Sequence, residues 1–523
     1  MGVLCKYRHK YLIKYNYINM KKFVILALLA INSCGLLFAQ TNIKGSVYFD
    51  ENQNLVRDNN ENGIEGALVS NGRDVIATDR GGKWSIPNNG NSAIFLIQPS
   101  GYLVPTNKSQ VPQHYSDPSN HEKPIEFPLW KGEENQEFEA LFFGDTQARG
   151  MTEVNYVTHD VVEECIGHNA KFGVVLGDIV ADDPGLFDEL SASIAQIGVP
   201  WYYVFGNHDF DRNAKGNIGA EDTFFKNFGP STYAYEFGQV AFININDVFY
   251  KETGGYKGFF TENQLSFVSN YLNHVPQEKL VVLMMHIPIV GCENREDMFR
   301  ILEKRKHTLS IAAHTHTLRN IFVDETMGWK GSEPHHHFIN GTVSGSWWCG
   351  LKDELGIPHA TMNDGTPNGY ATIKFHGNQY NIVYKAARRP ADYQMNIYLP
   401  DDISLDELNT SHVLVNVFNG TEKSIVEMQI DQTGDWMQLS QTTAKDPANW
   451  KMHEMNNYLD IQVEDKKLEE IFGWKMDEPK NSRHFWTGTL SKKLEPGTHQ
   501  LTIKTNDMFG NVYQSYKIFR VVP

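Results

Sequence analysis

Five times between Leu141 and Ala313 an apolar run stops within a residue or two of a side chain able to bind a metal. Leu141 to Phe143 leads to Asp145, Phe172 to Leu176 to Asp178, Trp201 to Phe205 to Asn207, Leu280 to Met285 to His286, and Leu309 to Ala313 to His314. Short apolar runs read as buried strands, and helical periodicity separates them. Thr152 to His168 puts Val154, Val157, Val161, Val162 and Cys165 on one face, and a second helix spans Leu186 to Ile197. Strand and helix in alternation predict an α/β arrangement with a largely parallel sheet. In such sheets the crevice beyond the carboxyl ends of the strands binds ligands. The pattern therefore predicts that Asp, Asp, Asn, His and His meet on one rim. His316, two past His314, faces the same way if that segment stays extended.

Carboxylate, amide oxygen and imidazole together, with little thiolate, suit Mn, Fe or Zn rather than a structural zinc site. A carboxylate such as Asp178 can bridge two ions. Two ions about 3.5 to 4 Å apart polarise a phosphate, acidify the water between them and stabilise the entering and leaving oxygens. Taken alone, Gly206-Asn207 is a common turn dipeptide and His208 an idle solvated histidine. The other four runs favour the functional reading.

On either side of this region the pattern is β alone. From Asn42 to Trp130, Gly45 to Phe49, Ala67 to Ser70, Asp74 to Ala77, Lys83 to Ile86 and Ala93 to Ile97 read as strands between Gly, Asn and Pro turns. Asp50, Asn52, Asn54, Asp58 and Glu61 fall at the spacing of a calcium loop, although Leu55 stands where such loops carry glycine, so the same residues also read as a solvated turn. After Arg388-Arg389-Pro390, the runs Val413 to Phe418, Ser424 to Ile430, His499 to Lys504 and Tyr513 to Val522 predict a β-sandwich. Its aromatic residues read as core.

The net charge of -16, with no basic stripe in the mature part, repels polyanions at long range and argues against a nucleic acid polymer as partner. Lys21-Lys22, the apolar run Phe23 to Ile31 and Leu37-Phe38-Ala39 read as a secretory signal too interrupted to span a membrane. The expectation is an exported protein, periplasmic or at the cell surface, with no transmembrane anchor in the mature chain. Cys34 inside the signal admits a lipoprotein variant. Cys165, Cys292 and Cys349 remain after cleavage, an odd number at long spacings that is not a disulfide framework.

In this order, Gly144-Asp145, Gly177-Asp178, Gly206-Asn207-His208-Asp209, His286 and His314-Thr315-His316 resemble the five motifs of the calcineurin-like metallophosphoesterases. The flanking β modules resemble those of an exported bacterial branch of that family. The resemblance implies an α/β central domain, with a β-sandwich core flanked by helices, and all-β immunoglobulin-like domains at both ends. Its division would be leader and signal 1–39, N-terminal β domain 40–132, metallophosphoesterase domain 136–387 and C-terminal β-sandwich 390–523. It implies two divalent or trivalent ions (Mn, Fe or Zn), with Asp145 and His316 on the first, Asn207, His286 and His314 on the second, and Asp178 bridging. His208 would orient phosphate or protonate the leaving oxygen as a general acid.

Two positions depart from that pattern. Gln147 stands where the first motif usually has histidine, and Ala181 where an acid usually supports the equivalent of His208, with Asp182 and Asp183 just after it. The implied activity is hydrolysis of a phosphate mono- or diester by a metal-bound hydroxide. The substrate would be a small phosphorylated molecule such as a nucleotide, sugar phosphate or phospholipid head group. The alternative keeps the fold and removes the catalysis, leaving a binding module at the surface or in the periplasm.

Other candidates have blander readings. Arg149 is a phosphate contact or a surface charge, and His335-His336-His337 reads as exposed loop before it reads as a metal site. Ser344 to Gly350 follows a strand near the expected pocket, so Trp347 or Trp348 is expected to line it. Cys349 reads as inert, and Asn363-Asp364-Gly365-Thr366-Pro367 as a tight turn on the same rim.

Overall fold

Two sheets stacked face to face form the centre of the molecule. The first runs, in spatial order, Trp201–Tyr203, Phe172–Val175, Glu137–Phe143, Gly369–His376 and Gln379–Ala386, the first three parallel and the last two antiparallel additions. The second runs Tyr233–Phe237, Val240–Asn244, Leu280–Met284, Thr308–Ala312, His335–Ile339 and Arg319–Val323, parallel through its middle four strands. This computed structural model describes residues 41–90, 92–118, 123–462, 467, 471–490 and 494–523. The leader, the secretory signal and Cys34 lie outside the described residues. Among the described residues no helix is long and apolar enough to cross a membrane.

Alternation along the strands builds the layers, because successive side chains leave opposite faces. Ala140, Phe142, Phe172, Val174 and Tyr202 of the first sheet pack into one core with Phe242, Val282 and Ile311 of the second. Tyr202 stacks on Tyr235 across that interface with ring centres 3.7 Å apart. The intervening Leu141, Phe143, Val175, Trp201 and Tyr203 face the other way, onto Val154, Val157, Val161, Phe187 and Leu190 of the helical layer. Helices Glu262–Leu272 and Arg295–Leu302 cover the far side of the second sheet with Phe267, Tyr271, Phe299 and Leu302. All five strands that end in a proposed ligand thus run parallel within their sheets and open on one rim.

The expected helix from Thr152 to His168 is interrupted. It runs Met151–Val157, opens into a π-turn over Thr158–Val162 and closes at Glu163–Cys165. Asp160 in the wide turn is buried and pairs with Asn368 and Arg388, whose guanidinium also meets Asp353 at 2.6 Å. The added residue turns that carboxylate inward.

His335-His336-His337 is not an exposed loop, as the sequence reading has it. It forms strand His335–Ile339, fully buried. Ser310 Oγ lies 2.7 Å from both His335 Nε2 and His337 Nδ1, and His336 bonds Tyr380 and Asn320. Burial keeps all three rings below their ordinary pKa, hence neutral. Neutral imidazoles with hydroxyl partners fit a strand interior.

The flanking regions are sheet-built. At the N-terminal side two four-stranded sheets enclose Val47, Val69, Trp84, Ile86 and Leu129. Their Asn-rich loop is tied together by carboxylates that accept from its backbone N–H groups. Asp50 accepts from the Asn54 and Leu55 amides at 3.2 and 2.9 Å, and Glu61 from the Glu51 and Asp58 amides at 3.1 and 2.9 Å. At the C-terminal side a four- and a five-stranded sheet enclose Val415, Val426, Trp486, Ile503 and Phe519. The strand pattern does not foresee the helix Pro447–Gln462 inserted there. Its start is written in the sequence all the same, since Asp446 Oδ1 caps the Ala448 and Asn449 amides and Pro447 takes the first helical position.

Candidate metal centre

Each ligand-type side chain follows its strand in a turn that bends it toward the rim, Asp145, His286 and His314 two residues past the strand end, Asp178 three, and Asn207 and His316 four. Asp145, Asp178, His314 and His316 all adopt left-handed backbone, with φ of 32°, 47°, 68° and 51°. Gln147 and Asp182 join them at 46° and 66°. For side chains such as these the conformation costs on the order of 1 kcal/mol or more each, and such strain gathers at functional sites.

Around Asp178 the arrangement is one of lone pairs facing one another. His286 Nδ1 meets the Leu176 carbonyl at 2.9 Å, and a carbonyl only accepts, so that nitrogen carries the hydrogen. The bare Nε2 then faces Asp178 Oδ2 at 3.2 Å, Asn207 Oδ1 at 3.1 Å and His314 Nδ1 at 3.1 Å. The ligand atoms of Asp178, His286 and His314 lie within 4.8 Å of one another. While the His286 ring is neutral, its Nε2, Asp178 Oδ2 and Asn207 Oδ1 converge on one point as acceptors beside His314 Nδ1. A cation satisfies such a point, and imidazole nitrogens with oxygens are the donor set of a transition metal.

Asp145 repeats the pattern alongside. His316 Nδ1 is committed to the Gly345 carbonyl, and its bare Nε2 faces Asp145 Oδ2 at 3.2 Å. With Asp145 ionised that separation is no hydrogen bond, since neither atom then carries a hydrogen, and Asp145 Oδ2 is left without a partner despite complete burial. Gln147 Oε1 is likewise buried and unpartnered, while its Nε2 donates to Asp178 Oδ2 at 3.2 Å. The departure at Gln147 therefore leaves an amide oxygen, not a void, in this part of the site. Asp145 Oδ1 accepts from the His314 amide at 3.1 Å, and Asp178 Oδ1 from the His208 amide at 2.9 Å, which locks the two carboxylates to the loops bearing the histidines.

The electrostatics call for positive charge. Burial works against the Asp178 carboxylate, yet the facing His286 ring holds it below its ordinary range. Asp145 is pushed up, by burial first and by the neighbouring Asp178. Burial alone would lower His286, but Asp178 and Asp145 outweigh it and lift the ring to about 10. Burial and that charge together lower His314 to about 3, and burial lowers His316 to about 4. A proton on His286 relieves the focus at Asp178 only, and Asp145 Oδ2 beside His316 Nε2 stays without a partner.

His208 stands at the edge of this cluster. Its Nδ1 meets Asp182 Oδ1 at 2.6 Å, and the Asp182 amide in turn donates to the His208 carbonyl at 3.1 Å. Of the two acids left open by Ala181, Asp182 makes the contact, whereas Asp183 caps the Gly185 amide of the next turn. Trp347 packs edge-on against His208 at 4.9 Å and stacks on His316 at 5.5 Å. Trp348 turns inward instead, buried and bonded to the Thr146 carbonyl. A cleft of about 600 Å³ opens beside His208, lined by Arg149, Ala181, Asp182, Asp183, Pro184, Arg212 and Trp347. The turn at 363–367 lies on the same side, with Asp364 Oδ2 accepting from the Leu318 amide just past His316. Cys349 is buried and its thiol is pushed up to about 12 by that burial, in keeping with an inert role.

Two carboxylates that shape the site escape the sequence reading. Asp247 Oδ1 accepts from the His286 and Ile287 amides at 3.3 and 3.2 Å, and Asp209 takes the Gly206 and Val180 amides at 2.8 and 3.2 Å. Asp209 lies inside a quoted motif, two residues past Asn207, and that adjacency was the available signal. Replacing Asp209 with alanine strands two buried N–H groups, each costing about 1–3 kcal/mol. The expected result is a lowered melting temperature together with a smaller stabilisation by added metal, read by thermal denaturation with and without Mn or Zn.

Comparison with known proteins follows the same order along the chain. The model described as Calcineurin-like phosphoesterase matches residues 138–318, the N terminal of Calcineurin-like phosphoesterase matches 50–131 and the C terminal of Calcineurin-like phosphoesterase matches 337–513. A probable glycerophosphodiester phosphodiesterase GpdQ of Arcobacter nitrofigilis is 25% identical over 211 residues, spanning 36% of this chain and 75% of its own length. Among solved structures, the purple acid phosphatase PPD1 of yellow lupin (Lupinus luteus) seeds aligns at 13% identity and a TM-score of 0.36, covering 66% of each chain.

Proposed function

Because this chain belongs to the calcineurin-like phosphoesterase family, a family of metal-dependent phosphoester hydrolases, we propose that it is an exported enzyme hydrolysing small phosphate esters at a binuclear centre. In this reading Asp145 and His316 would hold one ion, Asn207, His286 and His314 the other, and Asp178 would contribute to both. The oxygen of Gln147 is available to the first. The observation that carries the proposal is the double convergence of bare acceptors: Asp178 Oδ2, Asn207 Oδ1 and His314 Nδ1 on His286 Nε2, and Asp145 Oδ2 on His316 Nε2.

Two ions of Mn, Fe or Zn would supply charge for the phosphoryl oxygens and lower the pKa of the attacking water. The protein's own groups do the rest. Hydrogen bonds from Nδ1 to the Leu176 and Gly345 carbonyls fix His286 and His316 with Nε2 inward, and the His208 and His314 amides keep the carboxylates from rotating. With Nδ1 on Asp182, His208 has Nε2 left to protonate the departing oxygen. Arg149 and Arg212 line the cleft where the rest of the ester would lie. The named activity of the Arcobacter relative supports testing diesters beside monoesters. The signal-like residues 20–40 support action outside the cytoplasm, in the periplasm or at the cell surface.

Elemental analysis of protein purified without added metal is expected to find two ions per chain. Chelation should abolish hydrolysis of p-nitrophenyl phosphate or its diester, and Mn, Fe or Zn should restore it. Hydrolysis that persists in protein stripped of metal, or no hydrolysis of any ester by the loaded protein, would overturn the proposal.

A further inference from the structure

The three imidazoles of the centre are not held alike. His286 and His316 each give Nδ1 to a backbone carbonyl, of Leu176 and Gly345 respectively. His314 turns the opposite nitrogen inward, with Nδ1 at 3.1 Å from His286 Nε2, and among the described residues its Nε2 has no hydrogen-bond partner. A histidine that binds a metal ordinarily gives its second nitrogen to an acceptor, and that bond fixes the ring. What fixes His314 is packing. The His286 ring stands edge-on to it at 4.9 Å, and the Tyr256 ring at 6.0 Å with the two planes 82° apart.

Tyr256 belongs to a short hairpin, Val248–Tyr250 paired with Tyr256–Gly258, that reaches each of the three residues proposed for one ion. At its entry Asp247 Oδ1 accepts from the His286 amide, and at the end of its first strand Tyr250 Oη donates to the Asn207 carbonyl at 2.9 Å. Tyr256 lies directly opposite Tyr250, so the two rings leave the same face of the hairpin, with centres 6.4 Å apart. That face turns to the rim. The other face carries Phe249 and Lys257, which pack on Phe259 while Lys257 pairs with Glu293. The base is closed by the Phe259 amide on the Asp247 carbonyl at 2.8 Å and the Glu293 amide on the Gly258 carbonyl at 2.9 Å. Asp247 and Tyr250 thus act on the backbone of ligand residues, whereas Tyr256 meets the ring of one. It is 38% exposed, and among the described residues its hydroxyl bonds nothing, so its contribution lies in the aromatic ring.

We propose that Tyr256 is a positioning residue whose ring keeps the His314 imidazole aimed with Nδ1 inward, and so sets the affinity of the ion at Asn207, His286 and His314 without setting that of the ion at Asp145 and His316. The inference rests on the binuclear reading above and adds what tunes one of its two positions. The other position is held by different elements, since His316 stacks on Trp347 and bonds Gly345.

The test titrates metal-free protein with Mn and with Zn by calorimetry, as wild type, Tyr256→Ala and Tyr256→Phe. Tyr256→Ala is expected to weaken one of the two ions about 10-fold, to leave the other as it was and to leave the melting temperature of the metal-free protein unchanged. Tyr256→Phe keeps the ring and should bind both ions as wild type does. Diethyl pyrocarbonate labelling of the metal-free proteins, located by mass spectrometry, should modify His314 faster in Tyr256→Ala than in the other two. Hydrolysis of p-nitrophenyl phosphate by Tyr256→Ala should need about 10-fold more metal and reach the wild-type KM at saturation. Unchanged affinities in Tyr256→Ala, both ions weakened together, or equal labelling of His314 in all three proteins would each overturn the inference. So would a Tyr256→Phe as weak as Tyr256→Ala, which would assign the effect to the hydroxyl. Wild type that binds two ions yet hydrolyses no ester would strike the phosphoesterase reading alone, with the affinities still deciding the role of Tyr256.

Discussion

Replacing Asp178 with alanine is expected to lower kcat/KM by about 10³-fold or more and to lower the melting temperature of the metal-free protein as well. The loss follows from position. Asp178 Oδ2 faces Nε2 of His286 and takes the Gln147 side-chain amide, and Oδ1 takes the His208 amide, so one carboxylate touches the His286 focus, the residue two past Asp145 and the loop carrying the proposed acid. Removing a single preorganised electrostatic contact in an active site commonly costs about 10²–10³-fold, and this residue supplies more than one. The stability half follows from charge. Asp178 is completely buried, and its charge contributes to pushing both Asp145 and Asp209 above their ordinary range, Asp209 to about 8 with burial as the larger cause. With Asp178 gone that repulsion is relieved, but the attraction to His286 that holds Asp178 below its ordinary range is lost and the His208 amide and Gln147 Nε2 lose their acceptor, so the balance falls on the side of a lower melting temperature. The checks are steady-state kinetics on p-nitrophenyl esters, metal content by elemental analysis and a melting curve of the metal-free protein. A variant that keeps a tenth of wild-type activity with both ions bound would remove Asp178 from the bridging role. One that unfolds would show its carboxylate to be structural instead.

What the sequence made legible was the set of groups placed by strands. A parallel strand fixes where its carboxyl end points, so apolar runs followed at once by Asp145, Asp178, Asn207, His286 and His314 carry the location of those side chains in one dimension. Groups placed by turns were not legible in the same way. Asp182 reaches His208 because its own backbone is left-handed at φ 66°, a choice between neighbours that spacing cannot make. Asp247 acts through the amides of His286 and Ile287, some forty positions along the chain, and follows a strand that ends in no ligand of its own. His335 to His337 misled for a different reason. Their polarity by composition says loop, but the parallel strand Thr308–Ala312 offers Ser310 and Thr308 hydroxyls at the matching register, which makes neutral imidazoles acceptable in a sheet. The helix Pro447–Gln462 has no strong apolar face, so hydrophobic periodicity was silent and only its Asp446-Pro447 start was there to be read.

The division of labour at the cleft makes the second large effect a matter of leaving groups. His208→Ala is expected to cost about 10²–10³-fold in kcat for an ester of a poor leaving group such as an alkyl alcohol, and only a few-fold for a p-nitrophenyl ester, whose oxygen departs without a proton. Metal content should not change, because the contact from residue 208 to Asp178 is made by the backbone amide, which alanine keeps. Asp182→Ala should show the same selectivity at smaller size, about 10-fold, since the ring stays in place against Trp347 but loses the 2.6 Å contact that fixes it. The two residues act as one unit, so the double variant should be no worse than His208→Ala alone. Arg212, 3.8 Å from the far oxygen of Asp182, is too exposed at 65% to hold that carboxylate when His208 is absent. The discriminating measurement is the slope of log kcat against leaving-group pKa. A steeper slope in His208→Ala than in wild type marks lost proton donation, whereas an equal fall at every leaving group would mean that His208 holds the phosphoryl oxygens and that the proton comes from elsewhere.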